Sequence, residues 1–100
     1  MKNDVEHYCV RFHERAREIF FPLYNSFTHL AKALDRQGDE NVFQQLLAKY
    51  ISELNSRLQA VAAEMMAELS LCRERNEFNS ALHSLIGDYT KEFIQKANSL

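Results

Sequence analysis

The sequence predicts an all-α fold, an antiparallel three-helix bundle in which a long helical hairpin is joined by a shorter third helix. Three observations carry this. Two glycines and one proline in 100 residues leave too few turn residues for a fold of many strands. Apolar residues recur in steps of three and four along three long stretches, the spacing of one helical face. A composition of 46% hydrophobic and 26% charged residues is that of a chain with a single core, so 1–100 reads as one helical domain.

The first helix is expected over about 4–36. Asn3 precedes Glu6 by three residues, the spacing of a capping box. The stripe is Val5, Cys9, Phe12, Ala16, Ile19, Leu23, Phe27, Leu30 and Leu34. Lys32 and Arg36 suit the negative end of the helix dipole, and Gly38 is placed to close the helix in a left-handed conformation. Pro22 removes an amide donor and crowds the carbonyl four residues back, which leaves two geometries. Either one helix kinks at Pro22, or Pro22 begins a new helix and the chain makes a four-helix bundle. The stripe keeps its phase across Pro22 and no polar turn residues surround it, which favours the kink.

The second helix, expected over about 40–74, carries the strongest periodic signal. Asp39 and Glu40 put negative charge at its start. Phe43, Leu47, Tyr50, Leu54, Leu58, Val61, Met65, Leu69 and Cys72 follow in steps of three and four. Glu53 and Arg57 form an outer i, i+4 pair, and Arg73 and Arg75 complement the far end.

The third helix is expected over about 78–98, with Asn76 or Asn79 as its N-cap. Its stripe is Phe78, Leu82, Leu85, Ile86, Tyr89, Phe93, Ile94 and Ala97, with Glu92 and Lys96 as an outer pair. Gly87 weakens the middle by about 1 kcal/mol relative to Ala, unless a neighbouring helix needs the space.

The same composition excludes several functions. Phosphate loops and dinucleotide fingerprints need closely spaced glycines, which are missing. A net charge of −2 with no basic block argues against a nucleic-acid partner. No apolar run approaches the roughly 20 residues needed to span a bilayer, and the amino end has no signal-peptide core. No membrane partner and a cytoplasmic location are therefore expected. Cys9 and Cys72 are too few for a disulfide scaffold or a structural zinc site, and both read as reduced and buried. In a hairpin turning at Gly38 they lie at the same end, so oxidation could join them.

Each candidate for chemistry competes with a plain structural reading. His13-Glu14-Arg15-Ala16-Arg17 begins like a zinc-protease motif, but Arg17 stands where the second histidine is required. A carboxylate-bridged metal centre needs Glu-x-x-His pairs that the chain lacks, with Glu64 and Glu68 merely flanking a stripe. Haem held by His29, His83, Met65 or Met66 is the main rival class, set against core-edge histidines and gap-filling methionines. Cys72 sits at the wrong helix pole for a reactive thiolate, and Cys9 lies on an apolar stripe. Arg11, Arg15, Arg17 and His13 form a basic cluster diluted by Glu14 and Glu18, best read as a solvated face. A small regulator with a short recognition helix fits long helices poorly. No enzyme activity, catalytic residue, cofactor or metal is expected.

What remains is a surface for another protein. Helices one and two would each span roughly 50 Å and the third only about 30 Å. The third helix should therefore leave the hairpin tip near Gly38 partly uncovered. The stripe widens there to Val42-Phe43, Leu46-Leu47 and Tyr50-Ile51, implying contact on two sides. Leu30, Leu34, Val42, Phe43, Leu46, Leu47 and Tyr50 are the candidate interface residues. The expected function is an adaptor-like or chaperone-like protein-interaction module, with a second copy or another helical protein as partner and a haem- or metal-binding bundle as the alternative.

Overall fold

A computed structural model describes residues 2–34, 38–68 and 75–99, with side chains described for 6–34, 38–68 and 76–99. Among the described residues the chain is all-α, with α1 over Lys2–Ala31, α2 over Glu40–Glu68 and α3 over Arg75–Asn98. All three helices pack on one another, α1 with α2 and α2 with α3 more extensively than α1 with α3. Ring contacts fix the directions. Phe20 meets Tyr89 and Tyr24 meets Phe93, so α1 and α3 run parallel. Arg11 reaches Glu68 while Phe27 reaches Phe43, so α2 runs against them.

The core follows the sequence stripes with few changes. Phe12, Ala16, Leu23, Phe27, Phe43, Leu47, Leu54, Leu58, Val61, Met65, Phe78, Leu82, Ile86, Phe93 and Ala97 are buried, as their spacing predicts. Phe20 and Ala31 join them although the expected stripe of helix one passes them by. Phe93 is the centre of an aromatic cluster, with ring centroids 5.5 Å from Phe20, 5.3 Å from Tyr24 and 5.6 Å from Phe27. Edge-on arrangements of this kind add about 0.5–1.5 kcal/mol per pair to the burial of the rings.

Pro22 lies inside an unbroken α1, so the alternative in which it starts a separate helix and the chain makes a four-helix bundle is corrected. The cost of an interior proline is reduced here by its position. Pro22 and Glu18, whose carbonyl loses its amide partner, both face solvent, where water can satisfy the freed acceptor.

Three boundaries differ from expectation. α1 ends at Ala31, not near 36, and tightens past it through bonds from the Ala33 amide to the Leu30 carbonyl at 3.2 Å and from the Leu34 amide to the Ala31 carbonyl at 3.1 Å. A last turn tightened in this way satisfies carbonyls that would otherwise be orphaned. Gly38 therefore stands well past the helix rather than at its cap. Asn3 lies inside a helix that begins at Lys2, and Asn76 and Asn79 lie inside one that begins at Arg75. Leu69, Cys72 and Arg73, with the Cys9–Cys72 disulfide they bear on, fall outside the described residues.

Gly87 serves no close approach, because a Cβ built there meets nothing within 4 Å. The Glu53–Arg57 pair forms at 2.7 Å and the Glu92–Lys96 pair at 3.8 Å.

Candidate functional site

The hairpin tip is built by the unwinding end of α1 and the first turns of α2, and the structure divides its residues into two layers. Phe43 and Leu47 point inward and are buried, Phe43 against Phe27 at 5.6 Å between centroids. They are floor rather than anchors, which corrects the expectation that a partner would reach them. Two effects account for this. α1 is shorter than its stripe implied, so the tip projects less, and α3 reaches far enough for Phe93 and Ala97 to be fully buried.

Above that floor, Leu30 is 46% exposed and Val42 49% exposed, the two large apolar side chains that the tip leaves to water. Leu34 and Leu46 are half-buried beside them. Tyr50 is half-buried too, its ring 5.7 Å from Phe27, and it borders an open depression with Asn25, Ser26, His29 and Leu30. Leu30 is exposed because the inward position of the last turn is taken by Ala31, four residues after Phe27.

The seam between α1 and α3 holds a second feature that the sequence did not signal. A cleft of ≈ 270 Å³ is lined by His13, Arg17, Phe20, Phe21, Leu85, Asp88, Tyr89 and Glu92. That is below the usual range of small-ligand pockets, about 300–1,000 Å³. His13 Nδ1 shares a hydrogen bond with the Tyr89 hydroxyl at 2.7 Å, and the Arg17 guanidinium stands beside that phenol. Burial, opposed by Arg17 and reinforced by Glu92, raises the Tyr89 pKa above its ordinary value. Burial alone raises that of Tyr24. The Lys96 ammonium lies over Phe20, Phe21 and Tyr24 at 5.6, 6.0 and 5.9 Å from their centroids. Phe21 nevertheless remains 50% exposed, and Val10, three turns earlier on the same side of α1, 55% exposed.

The residues weighed for chemistry are dispersed. Arg15 pairs with Glu64 at 2.5 Å and Arg11 with Glu68 at 3.3 Å, so the basic cluster and the flanking carboxylates of α2 become bridges between helices. His29 stands exposed in the last turn of α1, whereas exposed His83 lies in the first half of α3, towards the opposite end. Met65 is in the core and Met66 at its edge, so the four haem candidates do not converge. Among the described residues no group of three or more His, Cys, Asp or Glu could hold a metal ion. Burial, with Glu6 behind it, raises the thiol pKa of Cys9, the opposite of an activated nucleophile. Among the described residues no helix is long and apolar enough to cross a membrane.

Compared with known protein families, curated proteins and solved structures, the chain matches none.

Proposed function

We propose that the protein is a small protein-interaction module of adaptor or chaperone-like type, acting in the cytoplasm and self-associating through the hairpin tip. The paired exposure of Leu30 and Val42, on adjoining helix ends and flanked by half-buried Leu34 and Leu46, is the observation that carries this reading. Completing the burial of each exposed side chain contributes roughly 1 kcal/mol, and a helix laid across the tip would cover all four. The bundle is elongated, 53 by 18 by 17 Å, which leaves much of each helix at the surface. A radius of gyration of 16.0 Å exceeds the roughly 13 Å of a compact 100-residue domain. An accessible surface of 6599 Å² exceeds the roughly 5,900 Å² expected of a monomer of this mass.

Light scattering of the reduced protein across a wide concentration range tests the proposal. The mass is expected to exceed 11.7 kDa and to fall when Leu30→Glu and Val42→Glu are combined, with helicity unchanged. Both side chains are already about half in water, so the folded monomer should tolerate the exchange. Association undiminished in that double variant would sink the role of the tip.

A further inference from the structure

We infer that the α1–α3 face is a second interface, taken by another copy of this chain about a two-fold axis parallel to the bundle. The cleft carries its charges on separate walls. His13 and Arg17 stand on α1, Asp88 and Glu92 on α3. Glu92 is paired with Lys96, while Arg17 stands beside the Tyr89 hydroxyl, a neutral group at neutral pH. Exposed apolar side chains, Val10 and Phe21, run along the same side.

Such a face is self-complementary. A two-fold axis along the bundle lays α1 of each copy over α3 of the other and keeps residues at their own height. Phe20 lies against Tyr89 and Tyr24 against Phe93, so Arg17 and Asp88 share one height, and the operation sets Arg17 of each copy opposite Asp88 of the other. Both Phe21 rings come to the seam between them. An isologous contact of this kind closes on itself as a dimer. A whole side of the bundle, 53 by 18 Å, is on the order of 900 Å², so a standard interface of about 800 Å² from each partner requires contact along nearly its full length. In this dimer both hairpin tips point the same way, so the tip surface is doubled at one end.

The test is made in the Leu30→Glu, Val42→Glu protein, where the tip is silenced, by light scattering and sedimentation. That protein is expected to remain a dimer, weakened roughly tenfold between low and high salt. Asp88→Arg and Arg17→Glu, each added separately, should give monomers. Mixing these two should restore a dimer containing one of each, because the introduced glutamate and the introduced arginine then face each other while the native Arg17 and Asp88 form the second contact. Phe21→Glu serves as a variant that leaves the His13–Tyr89 hydrogen bond alone and should also give a monomer. A tip-silenced protein that is already monomeric overturns this inference and leaves the tip reading standing. A dimer indifferent to Asp88→Arg and Phe21→Glu overturns it as well. Dimers lost through Asp88→Arg but unaffected by the tip changes support it and remove the tip as an interface.

Discussion

The two seams that α1 makes with its neighbours are held in different ways. Towards α2, long arginines cross the seam to meet glutamates, Arg11 to Glu68 and Arg15 to Glu64. Towards α3, the crossing is made by a half-buried phenol hydrogen-bonded to His13 and by the rings around Phe93. The first seam sets register with exposed charges that contribute little to stability, since exposed ion pairs are worth about 0–1 kcal/mol. The second holds its helix with fewer contacts, a half-buried phenol among them, and leaves Phe21 half in water. Exposed pairing leaves a surface finished on the α2 side, whereas the α3 side keeps an unfinished one.

Removing the residue that serves both seams should have the largest effect. Phe27 touches Phe43 and Tyr50 on α2 and Phe93 on α3, so Phe27→Ala should lower unfolding free energy in urea by about 3–5 kcal/mol. A loss below about 1 kcal/mol would mean the three rings do not form a common core.

Tyr89→Phe separates the seams, because it deletes only the α1–α3 hydrogen bond to His13, and should cost roughly 1–2 kcal/mol. The same substitution sharpens the alkaline behaviour. Folded pKa values of Tyr24 and Tyr89 lie above their ordinary value. Below about pH 10 both states keep these protons and no pH dependence arises from them. Above it the unfolded chain sheds them first, so stability falls as pH rises through the folded values. Melting temperature followed from about pH 9 to about pH 11.5 should decline less steeply in Tyr89→Phe, and parallel curves would remove Tyr89 from the account.

Gly87→Ala, on a stretch of α3 with open space around it, should raise stability by about 1 kcal/mol. A decrease would show that something packs at Gly87. Smallest of all, Arg15→Ala should change stability by less than about 1 kcal/mol, and by less still in high salt. A salt-independent loss would contradict a solvent-exposed bridge.

Most of the helical architecture is legible in the sequence because local periodicity encodes it. Few glycines and one proline, with apolar steps of three and four, are sufficient for three helices and for most of their inward residues. The structure departs from that pattern where neighbouring helices compete for the same direction. Leu30 belongs to the expected stripe of α1 and Ala31 does not, yet packing turned Ala31 inward and left Leu30 in water. Phe43 and Leu47 read as anchors because the third helix looks too short to reach the tip, and in the structure both are buried, Phe43 against Phe27. The cleft at His13 and Tyr89 leaves no signal, because 76 residues separate its two ends and neither residue belongs to a recognisable motif.

The sequence by itself determined the class of fold, the order and approximate span of the helices and the residues of the core, since these rest on backbone propensity and on side chains one turn apart. The tertiary structure decided which arginine found which glutamate, that Pro22 is carried within one helix, and which apolar side chains stay in water. Those outcomes depend on the relative rotation and length of packed helices, a property that no single stretch of sequence carries.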